Sequence, residues 1–547
     1  MLHAVPDADL EGALADWRGY RRAKHLVDVH WVDVLYRAYL TGIVGLVALV
    51  VLSDAIGDTA VGASGLRDIE AHGPGWLGGV AALAVAMGLR SGSRGGPLAL
   101  ERADVRHILL APVDRTTALR APAIRQIRFL AFVGAVTGAV AGQLAEHRLP
   151  GSTWAWVGAG ALGGLTAALL GSGSAYVAGG LRLPRPATSG IGVALLALAG
   201  LHGAGVIGWS PTEPYGHLLL WPLRFDPVGL APVAAAIAVL LVGMAVVGAV
   251  SLESAERRSS LVGQLRFAAT MQDLRTVIVL RRQLALELPR ARPWVTVGVR
   301  GSGRLPVFVR GLRGVLRWPA ARVGRLILLA VVAGVALRGA WSGTTPLVLV
   351  AGFAMFIAGL DGVEPLAQEV DHPSRRDSSP LDPGEIHVAH IPICVLVMVV
   401  TAGIAAGISA APGAGALPAE VAALLVAPLA LGGVSGALVS VLGFHGGGSA
   451  GADALSVIQP EAQGIRLAVR TVWPPALGVI GALPVVAAKA GFDAGDPPAG
   501  PAGVAAAGVL GLFFLVVSWV RVRERIALWW RAQMDQAFPT KRSDTDG

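Results

Sequence analysis

Pro97-Leu98-Ala99-Leu100-Glu101, followed after ten residues by Pro112-Val113-Asp114, recurs in the second half of the chain as Pro365-Leu366-Ala367-Gln368-Glu369, followed after ten residues by Pro380-Leu381-Asp382. Each copy comes just after the second long apolar segment of its half. Spacing and residue type agree together, so the chain reads as a duplicated unit built around two equivalent loops.

Around these loops the composition is that of a membrane protein. Mean hydropathy is +0.62, and 54% of residues are apolar against 15% charged. Soluble domains are far more polar, so many bilayer-crossing segments are expected. The net charge of +9 does not point to nucleic acid, because the arginines gather in alternate loops and not over one folded surface. Cys394, the one cysteine, lies in an apolar run; it excludes an intrachain disulfide and reads as a small buried hydrophobe. The first 35 residues carry Arg18, Arg21, Arg22 and Lys24 and no apolar core, which predicts no cleavable secretory signal there.

Apolar runs of bilayer length predict twelve spans. Six lie in the first half, near Ala38 to Ile56, Trp76 to Leu89, Phe129 to Ala145, Trp154 to Gly179, Gly190 to Trp209 and Leu230 to Val250. Six follow in the second, near Leu326 to Ala340, Thr345 to Leu360, Ile391 to Ala411, Ala419 to Leu442, Val472 to Ala488 and Val504 to Val520. The fold class is therefore an all-α polytopic membrane protein, with two six-helix repeats. An even number of spans per half makes the repeats parallel.

Arginine placement sets the orientation. Arg90, Arg94, Arg102, Arg106, Arg115, Arg120, Arg125 and Arg128 surround the loop after the second span, and Arg257 to Arg325 fill the loop after the sixth. Loops after the first, third and fifth spans hold only Arg67, Arg148 and Arg224. By the positive-inside rule the even loops and both termini are cytoplasmic. This gives residues 1–35 as an amphipathic helix, 36–250 as the first membrane half, 251–325 as a basic linker, 326–520 as the second half and 521–547 as a tail. Within the linker, Val309, Leu312, Leu316 and Trp318 alternate with Arg310, Arg313 and Arg317. That pattern, like the one over Glu11 to Leu35, suits a helix lying in the membrane interface ahead of the first span of its half.

Catalytic chemistry is sparse. There is no G-x-x-x-x-G-K-[ST] run, so an ATP-driven step requires a partner. His387 and His390 read as a pair near a span start, without a third ligand for a metal. No span has a central Asp or Glu, although a boundary shift of one turn would bury Asp361; an ion-coupled carrier is the alternative this leaves. Asp68-Ile69-Glu70 in the first external loop resembles the acidic pair of membrane glycosyltransferases that use lipid-linked sugars, against the plainer reading of a solvated loop. A non-transporting scaffold is a further alternative. The repeated loops carry no nucleophile and no metal-ligand set, and no cofactor is expected. Their residues, Pro97, Leu98, Ala99, Glu101, Pro112 and Asp114 with Pro365, Leu366, Ala367, Glu369, Pro380 and Asp382, read as docking elements, against the plainer reading of a cap on two spans.

An amphipathic helix ahead of six spans, with a cytoplasmic docking helix between the second and third, resembles the ABC-2 type of ABC exporter permease. Gly95-Gly96-Pro97-Leu98-Ala99-Leu100-Glu101 with Leu109-Leu110-Ala111-Pro112-Val113-Asp114-Arg115 is similar to actinobacterial permease-like proteins of that kind. The resemblance implies a plasma-membrane exporter subunit whose loops, Pro97 to Asp114 and Pro365 to Asp382, contact a separate ABC ATPase subunit. Typical permeases hold one six-span unit and dimerise; here one chain would hold both. The transported substrate is not legible.

Overall fold

The computed structural model describes residues 60–94, 114–250, 290–298, 305–372, 380–413, 415–443 and 472–537, with isolated positions besides, among them Leu98. The helix expected over Glu11 to Leu35, the first span, and Pro97, Ala99, Glu101 and Pro112 lie outside the described residues. Among the described residues the protein is all helix with no strand. It divides into two compact units, Met1–Leu284 and Ala285–Gly547, with the boundary inside the basic linker.

The first unit holds α1 (Ala63–Gly92), α2 (Arg115–Glu146), α3 (Thr153–Gly180), α4 (Arg185–Gly203), the short α5 (Glu213–Leu219), a 3-10 turn (Pro227–Leu230) and α6 (Ala231–Val246). Helix α1 packs on α3 and α4, α2 lies along α3, and α3 packs on α6. The α2–α3 contact is built from glycine. Gly134, Gly138 and Gly142 recur at four-residue spacing on α2 and face Gly164, Gly160 and Trp156 of α3. A methyl group on Gly138 would drive into the Gly160 carbonyl, and one on Gly164 into that of Gly134. Small residues at this spacing let membrane helices touch backbone to backbone, where dispersion supplies the attraction that the hydrophobic effect does not supply in lipid.

The second unit holds α7 (Leu305–Val315), α8 (Ala320–Trp341), α9 (Leu347–Gly362), α10 (Glu364–Asp371), α11 (Pro383–Ala410), α12 (Ala419–Gly443), α13 (Val472–Asp493, broken at Leu483 ahead of Pro484) and α14 (Ala499–Ala537). Helix α9 packs on α12, α11 on α12 and α12 on α14. Gly352 of α9 meets the backbone of Val479 in α13. Helix α12 is the centre of this unit, with Leu425, Leu429, Val434, Leu438 and Leu442 all fully buried.

Nine of the described helices are long and apolar enough to cross a bilayer, and ten if α9 and α10, bent by 55° at their junction, count as one span. Each expected span from the third to the twelfth overlaps a helix, often longer than the apolar run, although the helix of the fifth ends at Gly203, short of the expected Trp209. The second lies within α1, which is not among the nine because the glycines, Pro74 and Trp76 of its middle make that stretch too little apolar. Tryptophan placement divides. Trp154, Trp209 and Trp473 are exposed near helix ends, as an interfacial belt requires, whereas Trp318 and Trp341 are buried in protein.

Candidate functional site: the repeated loop and the arginine-rich end

Both units gather arginine at one end. In the first, the C-terminus of α1 carries Arg90, the start of α2 Arg115 and Arg120, and the α3–α4 turn Arg182 and Arg185. In the second, Arg322 and Arg325 open α8, and Arg521, Arg523 and Arg525 lie along α14 past its apolar stretch. The repeated loop belongs to this end in both units.

The second copy is described almost whole. After α9 the chain bends at Val363, and Pro365 lies in the first turn of α10, where a missing N–H costs nothing. Pro365, Leu366, Ala367 and Glu369 are buried, while Gln368 between them is exposed. Helix α10 therefore has most of its surface against the unit. Glu369, although only 2% exposed, keeps its charge compensated: Arg310 of α7 lies 3.0 Å from Oε1. A buried carboxylate requires such a partner.

Helix α7 is the amphipathic stretch expected in the membrane interface, and its apolar side is covered by protein. Val307 clusters with Ile386 and Ala389 of α11, and Phe308, Leu312 and Val315 pack on the main core of the unit. Gly311 makes the close approach possible, since a Cβ there would stand 3.2 Å from Ile393 Cγ2 and 3.3 Å from His390 Cδ2. The segment 290–298 then runs beside the end of α7: the backbone N–H of Arg290 donates to Arg317 O (2.8 Å) and that of Trp294 to Leu316 O (2.9 Å). The Arg313 guanidinium donates to Val297 O. The latter part of the linker is thus built into the second unit.

The second half of the motif has a structural role in both copies. Asp382 caps α11, accepting from the Gly384 N–H at 2.8 Å, and Asp114 caps α2, accepting from the Thr117 N–H at 2.8 Å and the Thr117 hydroxyl at 3.0 Å. These hydrogen bonds favour the charged carboxylate. They hold Asp114 below the usual range, the Thr117 backbone N–H contributing most. Asp382 is lowered first by the Gly384 N–H and then by Arg525, whose guanidinium stands 3.2 Å away. The cap stabilises each helix above the ordinary carboxylate range, and that contribution is lost as pH falls through the depressed pKa. Asp382→Ala is expected to lower the stability of the second unit by about 1 kcal/mol, read as a shifted thermal transition in detergent. Leu98 of the first copy is buried with Leu119, Tyr176 and Val247, as Leu366 is in the second.

The other candidate groups are engaged elsewhere. Asp361 accepts from Arg325 Nε at 2.6 Å and Nη2 at 2.7 Å, a two-pronged pair joining α8 and α9. Asp68 and Glu70 lie in the first turns of α1, not in a loop, and Asp68 Oδ1 stands 2.9 Å from His72 Nδ1. His387 and His390 are buried in α11, where His390 Nδ1–H donates to Ile386 O at 2.9 Å; Cys394 is buried beside them. Among the described residues no three His, Cys, Asp or Glu side chains are placed to hold a metal ion. The Arg310–Glu369 and Arg325–Asp361 pairs were not anticipated. Their signal was the location of all four residues near the same end of the predicted spans, with Arg325 and Asp361 each one residue outside an apolar run.

Comparison with protein families, curated proteins and solved structures finds no match to this chain.

Proposed function

We propose that the chain is the membrane subunit of an ATP-driven, ABC-type exporter: two parallel six-span halves in one plasma-membrane chain, both termini cytoplasmic, with a separate ATPase subunit docking at the repeated loops. The observation that carries this reading is the common placement of the motif. In each unit it lies at the arginine-rich end, buries its leucine, and ends on an aspartate that caps the next long helix. The order of packing supports duplication: α3 packs on α1, α2 and α6 as α12 packs on α9, α11 and α14. Arginine at one end of each unit supports the orientation.

Because Pro365, Leu366, Ala367 and Glu369 are turned inward, a partner would meet the exposed Gln368 and Pro380 together with Arg310 and Arg313 of α7. The buried motif residues would set the attitude of that surface. The ion-coupled alternative relied on Asp361, whose carboxylate is held by Arg325; the glycosyltransferase alternative relied on a loop that is helix α1.

The test is purification from native membranes in mild detergent. A co-purifying subunit bearing a G-x-x-x-x-G-K-[ST] sequence and ATPase activity is the expected result. Purification of the chain without such a subunit, together with undiminished export in membranes depleted of ATP, would overturn the assignment.

A further inference from the structure

The segment 290–298 is a short strap laid beside the C-terminal end of α7, next to the start of α8. Besides its two backbone hydrogen bonds to Arg317 and Leu316, it is tied down by the Trp294 indole, whose Nε1–H donates to Trp318 O at 3.0 Å. Trp318 lies two residues ahead of α8, a helix long and apolar enough to cross a bilayer. That hydrogen bond therefore fixes Trp294 at the level where α8 enters the membrane. The ring is held but not covered: Trp294 is 52% exposed and its neighbour Val295 60%. The first turns of α8 are open as well, at Val323 and Ile327.

The charge around the strap has one sign. From Arg290 to Arg325 the sequence carries nine arginines and no aspartate or glutamate. Arg310 and Arg325 are committed to Glu369 and Asp361. Arg313 is committed to the Val297 carbonyl, which holds the strap in place without neutralising the guanidinium. Arg290, Arg292 and Arg317 are exposed, and the backbone contact between Arg290 and Arg317 brings the three into one patch. Among the described residues no carboxylate is set against any of them. The Arg290 guanidinium lies 3.7 Å from the centre of the Trp294 ring, so a cation and an aromatic body are presented together. The patch thus asks for an anion on one side and an apolar contact on the other.

We infer that the strap is a binding site for anionic phospholipid, with Arg290, Arg292 and Arg317 taking the headgroup phosphate and Trp294 and Val295 lying against the lipid at the base of α8. Tryptophan, apolar in body and polar at its N–H, favours this depth of a bilayer, and arginines beside it are drawn to anionic headgroups. A soluble polyanion would use the arginines alone and leave the indole and the valine bare. The membrane contact that the amphipathic pattern of α7 suggested thus passes to the strap, since the apolar side of α7 is spent on Ile386, Ala389 and the core of the unit. The site is made of residues other than Gln368 and Pro380, and it does not depend on the exporter reading or on an ATPase partner.

Lipid-selective quenching of the full chain in nanodiscs tests this. Val295→Cys carries the fluorophore NBD, Cys394 being fully buried, and the bilayer is phosphatidylcholine with about one-fifth phosphatidylglycerol. In one sample the phosphatidylglycerol bears a nitroxide quencher high in its acyl chain, and in a second an equal amount of the phosphatidylcholine bears it. Both lipids are expected to quench, with phosphatidylglycerol enriched about fivefold at the label, the worth of one arginine beside an anionic headgroup. Arg290→Gln/Arg292→Gln/Arg317→Gln should bring that enrichment to about one. A label at Val335, exposed in the middle of α8, should be quenched equally by the two lipids in both proteins, which shows that the variant is folded and inserted. If the variant does not fold, raising salt to about 1 M, where charges are screened within ~3 Å, should abolish the enrichment with the arginines in place. Absence of quenching at position 295 would put the strap against water or another protein and overturn the site. Equal quenching by the two lipids, or enrichment that survives both the substitutions and the salt, would overturn it too. So would loss of the enrichment on adding inorganic phosphate at constant ionic strength, because the ligand would then be a free anion.

Discussion

Gly138→Val should separate α2 from α3 and cost the first unit about 3 kcal/mol, at the upper end of overpacking losses. The side chain would enter the Gly160 backbone from a helix whose neighbours on the same face, Gly134 and Gly142, are just as close to α3. Helix α3 cannot give way, because it is also packed against α1 and α6, so α2 must be displaced. In lipid the contact has no hydrophobic driving force to fall back on, so lost backbone proximity is lost attraction. Gly158→Val is the control: nothing lies within 4 Å of its Cβ position, and its expected effect is small. Both are measured as unfolding transitions in a mixed-micelle denaturant titration.

Arg310→Ala should be the most damaging single change on the second unit's arginine-rich end. It leaves Glu369, 3% exposed in its side chain, without its ion pair to α7. Removing one member of a buried pair costs about 3–5 kcal/mol. Because Arg310 is itself 42% exposed, part of that interaction is screened and about 2 kcal/mol is expected. Replacing both residues by leucine should recover much of the loss, since no charge is then buried. The readout is a double-mutant cycle on thermal stability, with proteolysis between α7 and α8 reporting whether α7 has come away. Additive losses from the two single changes would show that the pair is not coupled.

Much of this architecture follows from reading apolar length. Runs such as Leu230 to Val250 or Ala419 to Leu442 have no choice but to be helices, because lipid offers their backbone groups no other partner. Helix ends were less legible. Helix α2 starts at Arg115, some way before its apolar run, because Asp114 caps it there and Pro122 does not stop it; the charged first turns of α1 continue its helix for the same lack of a breaker. The amphipathic pattern of α7 showed which face is apolar but not what covers it. Lipid and protein ask for the same stripe, and only Gly311 hinted at a neighbour close enough to exclude a side chain. The motif's carboxylates looked alike in sequence and differ in role: Glu369 is an internal tie, Asp382 a helix cap. The grouping of His202, Glu213, His217 and Asp226 was not legible at all, since they are brought together by turns whose geometry no local pattern encodes.

The proposed exporter depends on a separate ATPase docking on the arginine-rich end at the repeated loops. This docking can be probed by placing a photo-crosslinking amino acid at Gln368 or Pro380, and at Trp154 or Phe492 toward the other helix ends, in the cells that express the protein. The expected result is an adduct from the first two positions whose partner peptides include a G-x-x-x-x-G-K-[ST] sequence, and none from the latter two. Absence of such an adduct at Gln368 and Pro380, or its appearance at Trp154 or Phe492, would contradict it.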